Sequence, residues 1–238
     1  MMRLAVTRSR AALDAAHELG HAYTLSHVLH LNCWLHQHRG KPTVVREQAE
    51  VALKLPAEHG FSFWEQHAVF WRGWGLAAAG EATAGSATMR DAIESLQGMG
   101  VVNQRPFLLG LLADVYRRTE TPTKALLLLD GALTIVDSTQ ERWFEAELHR
   151  LRAEALLTSS FRCPDQAKVS LHRALAPARE QGAKFWELRA ATSLARLRRD
   201  RGKRTEARDL LAPIYGLVHR RIDTPALQDA KSLLDQLT

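Results

Sequence analysis

The chain has 238 residues, 46% of them apolar, with 32 basic against 26 acidic side chains for a formal charge of +6. That suffices for the core of one elongated domain or two small ones; Leu, Ala, Arg and Glu dominate while β-branched residues are sparse, which favours helices, and the charge permits an acidic partner or nucleic acid without requiring either. No apolar run approaches the ~18 to 20 residues that cross a bilayer, residues 1–20 lack the apolar stretch of a signal peptide, and Cys33 and Cys163 lie too far apart for a disulfide scaffold, as expected of a protein kept in a reducing cytoplasm.

In chain order, a first helix is expected over residues 8–19, ended by Gly20. Helix pairs follow at 21–39 with 43–59, 62–79 with 82–98, 104–118 with 122–137, 142–158 with 164–181, and 184–201 with 204–219. Thr121-Pro122 opens one second helix, since proline in the first turn gives up an N–H that has no helical partner there. The stretch SSFRCPDQ (159–166) lengthens the loop of the fourth pair by two residues. Asp223-Thr224-Pro225 starts a last helix near 225–237 by a capping residue followed by proline. The organisation is therefore an orphan N-terminal helix (1–20), five pairs (21–223) and a C-terminal capping helix (224–238). The orphan has the character of a second helix without its first, so the chain reads as the tail of a longer protein.

The period carries this reading. Gly20, Gly60 and Gly100 stand 40 residues apart, with Gly182 a further 82 on. Gly40, Gly80, Glu120, Ser160 and Gly202 form a second series between them. Glycine readily takes the left-handed conformation that closes a helix, so two alternating series mean two helices per repeat. Three series of mostly small residues share the period: Cys33, Gly73, Ala113, Ala153, Ala195; Val45, Gly85, Ala125, Ala167, Ala207; and Ala52, Ala92, Ala132, Ala174, Ile214. The third is followed by Leu53, Ile93, Leu133, Leu175 and Tyr215. Small side chains let helix axes approach, and large ones fill the grooves between them. The fold class expected is all-α: a right-handed α-solenoid of TPR-like helical hairpins, with a repeat of about 40 residues against ~34 for an ordinary TPR.

The stretches RWFEAELHRLRAEALL (142–157), KFWELRAATSLARLRRDRGKRTEARDLLAPIYG (184–216) and DTPALQDAKSLLDQL (223–237) resemble the C-terminal TPR-like arrays of large bacterial signal-transduction ATPases. Many of those proteins are fused to adenylyl or guanylyl cyclase domains, and others are related to maltose-regulator-like transcription activators. The resemblance covers nearly the whole chain from about residue 10 and concerns the array alone. Neither a Gly-x-x-x-x-Gly-Lys-Ser/Thr phosphate loop nor a cyclase segment occurs here. The resemblance thus implies a regulatory or partner-sensing array without cofactor.

His17-Glu18-Leu19-Gly20-His21 spells the H-E-x-x-H of zinc hydrolases, in which two histidines on one helical turn hold the metal, and His27 falls at a third-ligand spacing. Gly20 belongs to the helix-ending series, however, so a cap rather than a metal site is expected. Histidines cluster further on, at His27, His30, His36, His38, His59 and His67, and His27, His30, Trp34 and His38 share one helical face. Placed on a TPR pattern, the concave groove is lined by His27, His30, Trp34 and His38 in the first pair and by His67, Phe70 and Trp74 in the second. The third pair adds Phe107, Asp114, Arg117 and Arg118; the fourth, Glu147, Arg150 and Glu154; the fifth, Arg189, Arg196 and Arg199. One end is aromatic and the other arginine-rich, which suits a protein segment with an apolar anchor followed by acidic residues. Trp64, Trp143 and Trp186 are expected as wedges between repeats and Trp34 and Trp74 as anchors, while Trp71 finds no place. The basic run Arg196–Arg208 spans a helix end, where cations offset the dipole; a nucleic-acid patch is the sharper alternative. The function expected is a non-catalytic protein-interaction module without metal, with a small-molecule-sensing array and a zinc hydrolase as alternatives.

Overall fold

A computed structural model of the chain describes residues 2–119, 121–159, 163–219 and 224–237, the side chains of residues 2, 3 and 56–59 excepted. The described residues form twelve α-helices, one 3-10 turn and no strand. The helices are α1 (Met2–Leu19), α2 (Ala22–His38), α3 (Pro42–His59), α4 (Ser62–Ala78), α5 (Ala82–Gly98) and α6 (Arg105–Arg118). They continue as α7 (Pro122–Thr139), α8 (Glu145–Thr158), α9 (Pro164–Glu180), α10 (Lys184–Asp200), α11 (Arg204–Val218) and α12 (Pro225–Gln236), with the 3-10 turn Arg142–Phe144 ahead of α8. The fold class is the expected one, an all-α solenoid of TPR-like hairpins. Helix α1 reaches back to Met2 rather than residue 8, because nothing in MRLAVT breaks a helix. Of the residues singled out from the sequence, Glu120, Ser160 and Asp223 lie outside the described residues, as does the side chain of His59.

Every described member of the glycine series has positive φ, from 62° to 101°. The next-turn amides close the helix ends over these residues, Lys41 N donating to His36 O, Glu81 N to Leu76 O and Lys203 N to Arg198 O at 2.9–3.0 Å. Gln140 stands where the first series lacks its glycine, and it too takes a left-handed φ of 59°. The period is therefore kept by the backbone even where the residue type departs from it.

All three small-residue series are buried. Helices α4 and α5 approach closely where Gly73 and Gly85 face each other: a Cβ on Gly85 would lie 2.5 Å from Gly73 O and from Ala77 N.

The chain divides into two compact units, residues 1–102 and 103–238. In the first, α1 lies on α2, α2 pairs with α3, α4 with α5, and α2 and α4 are neighbours. In the second, α6 pairs with α7, α8 with α9 and α10 with α11; α6, α8 and α10 stand side by side, and α12 packs on α10 and α11. Helix α12 buries Ala230 and Leu233, and Leu237 just beyond it, against a core that includes Leu188, Leu194 and Leu211. Nine basic side chains meet nine acidic ones in residues 1–102, so the whole excess of +6 lies in residues 103–238. No helix among the described residues is long and apolar enough to cross a membrane.

Candidate interaction surface

In the first unit, Tyr23, His27, His30, Trp34 and His38 recur at three- and four-residue steps along α2, so they share the face that meets α4. The buried floor of that face is aromatic. Trp71 Nε1 donates to His30 Nδ1 at 3.1 Å, and the His30 ring stands edge-on to His67 with centroids 4.5 Å apart. His67 Nδ1 lies 3.0 Å from the Phe63 carbonyl. Trp64 is covered by His27, stacked at 5.0 Å, and by the edge of Tyr23 at 5.5 Å. Above this floor, Trp34 and His38 are half-buried, with Trp34 Nε1 donating to His38 Nε2 at 2.8 Å. Trp74 is half-buried too, edge-on to Trp71 at 6.5 Å. His27 is exposed and Tyr23 is 47% exposed.

The structure thus brings the expected histidines and tryptophans of α2 and α4 together, but in two layers. His30 and His67 are floor, and Phe70 is core with no exposure. Trp71, which sequence spacing could not place, holds the two helices together through His30. Cys33 is also interior: its Sγ donates to Val45 O at 3.7 Å, and burial pushes its thiol pKa up.

In the second unit the expected groove residues of α6, α8 and α10 form an ion-pair ladder. Asp114 accepts from Arg117 at 2.6 Å and from Arg118 at 2.5 Å, and Arg117 reaches Glu154 at 3.5 Å. Arg150 pairs with Glu147 at 2.7 Å and also with Glu154. Arg189 joins from α10 to Glu147 at 2.8 Å, and Ser193 Oγ donates to Glu154 at 3.0 Å. The Arg150 and Glu147 side chains are only 6% and 5% exposed. Helix spacing foretells the contacts within α6 and α8; the contacts between helices join residues 37 to 42 apart, close to one repeat, which is the signal that would have revealed them.

Burial alone would raise the Asp114 carboxyl, but Arg118 and Arg117 overcome it and hold it at about 2; Arg150 and Arg117 likewise depress Glu154 against its burial. A carboxyl whose pKa falls on folding stabilises the fold above its unfolded pKa and loses that contribution as pH falls through the folded value. Unfolding titrations should therefore show residues 103–238 losing stability between about pH 4 and pH 2, with Asp114 contributing about 2 kcal/mol. Asp114→Asn should flatten that limb; an unchanged acid limb would contradict the assignment.

The remaining expected site residues are also engaged. Phe107 is fully buried against Phe144 and Trp143, with centroids 5.0 and 5.3 Å away, so it is core rather than groove. Trp186 meets Phe144 at 5.3 Å; Trp64, Trp143 and Trp186 thus each touch an aromatic residue of the preceding repeat, Tyr23, Phe107 and Phe144 respectively. Arg196 pairs with Asp229, and Arg199 with Asp200 at 2.9 Å and Gln236 at 2.6 Å. Further along the basic run, Arg201 pairs with Asp165 at 2.7 Å, Lys203 with Glu206 at 2.8 Å, and Arg198 donates to Glu206 O at 3.0 Å. The arginines expected to receive acidic partner residues thus already meet acceptors of their own chain. A cleft of about 390 Å³ among α7, α8 and α9 is closed off in the same way, by Arg142 pairing with Glu145 of α8 and Glu180 of α9.

The H-E-x-x-H sequence is split. His17 lies in the last turn of α1, Gly20 breaks the helix at φ 63°, and His21 stands just ahead of α2 with its Nδ1 2.7 Å from the Thr24 hydroxyl. The two histidines are not on one helical turn, which is the geometry zinc binding by this motif needs.

No protein-family model matches the chain, and no curated protein sequence matches it. Among solved structures it is similar to a kinesin light chain-like protein of nearly identical TPR-like repeats from Podosopora anserina, with a TM-score of 0.57 at 16% identity, over 91% of this chain and 97% of that one. A variant of the same repeat protein gives 0.57 at 17% identity, over 79% and 92%. At these identities the likeness establishes the fold.

Proposed function

We propose that the chain is a non-catalytic protein-interaction module that anchors a partner segment on the aromatic lip of α2 and α4. The observation that carries this is the layering: Tyr23, His27, Trp34, His38 and Trp74 stand at the surface over a floor locked by the Trp71–His30 hydrogen bond. Rigid aromatic rings bind with little loss of conformational entropy, which is why such residues dominate interface energetics. TPR-like repeats generally serve as protein- or peptide-binding scaffolds, which agrees. The sequence resemblance adds the setting: a sensor or scaffold tail of a bacterial ATPase- or cyclase-type signalling protein, in the cytoplasm. In this reading the ladder of the second unit is a brace rather than the anchor site.

A phage-displayed peptide library selected on the wild-type chain tests the reading. Selected peptides should lose at least tenfold in affinity for Trp34→Ala and Trp74→Ala variants whose helical circular dichroism is unchanged, an effect of hot-spot size. Peptides that bind both variants as well as the wild type would place the binding surface elsewhere.

A further inference from the structure

Helix α1 carries a face that the described residues of its own chain leave uncovered. Leu4, Arg8, Ala12, Ala15 and Leu19 recur at steps of three and four residues, so they lie along one stripe. All five are exposed, Leu4 by 53% and Leu19 by 68%. Elsewhere in the array the same part of a second helix is interior. At the places matching Ala12 stand Ala52, Ala92, Ala132, Ala174 and Ile214, none more than 6% exposed, each in a helix paired with the first helix of its hairpin.

We propose that a second copy of the chain covers this face, its α1 lying antiparallel on the first across a two-fold axis. The stripe is self-complementary in that arrangement. About a centre between Ala11 and Ala12, Leu4 of one copy meets Leu19 of the other, and Arg8 lies over Ala15. Alanines at the centre let the two axes approach closely. The second α1 also runs in the direction that a first helix takes against a second in a helical hairpin.

Charge selects the same arrangement. Arg8 and Glu18 are exposed, and neither side chain has an ion pair among the described residues of its own chain. Glu18 stands in the last turn of α1, beside the negative end of the helix dipole, where a cation would be favoured. Across the two-fold axis it lies about 4.5 Å along the helix from the point opposite Arg8, within reach of that long side chain, and the contact forms twice. Residues 1–102 have no net charge, so no repulsion between these units opposes the encounter. One helix face is small beside the interfaces of stable dimers, so the association is weak and depends on concentration.

Sedimentation equilibrium of the full chain, from micromolar to near-millimolar concentration, tests the contact. The average mass should rise from the 26.7 kDa of one chain toward that of two. Arg8→Glu and Glu18→Arg should each weaken dimerisation about tenfold or more, since like charges then face each other at both symmetry-related contacts. The two substitutions together should bring it back to within about threefold of the wild type. The two positions lie about 15 Å apart along α1, so such a recovery cannot come from a contact within one helix. Helical circular dichroism should be unchanged in all three variants. A wild-type chain that stays at 26.7 kDa throughout overturns the proposal. So does a dimer that both single substitutions leave intact, or one that the double substitution fails to restore.

Discussion

Replacing Arg150 by alanine should destabilise residues 103–238 by about 3–5 kcal/mol, the usual cost of removing one partner from a buried ion pair. Arg150 is the hub of the ladder. It pairs with Glu147 and Glu154, which in turn hold Arg189, Ser193 and Arg117. Without the guanidinium, Glu147 is left almost wholly out of water with Arg189 alone against it. Urea unfolding followed by helical circular dichroism reads the loss directly. Arg150→Lys should recover little, because a point ammonium cannot reproduce the two-pronged contact with Glu147. Arg118→Ala, at a side chain 66% exposed, should change stability by less than about 1 kcal/mol. The informative combination is Glu147→Leu, Arg150→Met and Glu154→Leu together, which should come back close to wild type, since apolar replacement of a whole buried network is often neutral. A loss below about 1 kcal/mol for Arg150→Ala would mean that the ladder braces nothing.

The second large effect reverses a general rule. Glycine to alanine inside a helix normally stabilises by about 1 kcal/mol. At Gly85 it should destabilise by about 2–3 kcal/mol, because the added Cβ runs into the backbone of α4. It would lie 2.5 Å from Gly73 O and Ala77 N and 2.8 Å from Ala77 Cβ, so α4 and α5 would have to separate. Gly131 is the control: it is interior to α7, with nothing within 4 Å of the added carbon. Gly131→Ala should be neutral to stabilising by up to about 1 kcal/mol. If both substitutions stabilised, the close contact of α4 and α5 would not be tight in solution.

The same glycines show what sequence reading could reach. Helix ends and the crossing points of paired helices repeat because backbone geometry repeats, and a residue that must be small or left-handed declares that need in its identity. Gln140 shows the limit: the turn persists there without glycine, so only its place in the period marks it. Groove residues are harder to read. Phe70 and Phe107 occupy positions on first helices that an idealised pattern assigns to the concave wall, yet a large ring is drawn inward wherever a neighbouring helix offers a surface. The arginines looked available because partners on the same helix are visible at three or four residues' spacing, whereas partners one repeat away appear only when opposite charges are compared at that distance. Trp71 could not be assigned because its role depends on His30, 41 residues earlier.

The uneven division of charge between the two units has a practical corollary. Cutting the backbone between Val102 and Asn103 would give one fragment with a net formal charge of zero at neutral pH and another that keeps all the surplus cations. The fragment of zero net charge, with Tyr23, Leu31 and Met99 facing water, lacks the mutual repulsion that keeps proteins dispersed and should be the first to precipitate. The cationic fragment should stay in solution and be retained by a sulfonate resin that lets its counterpart flow through.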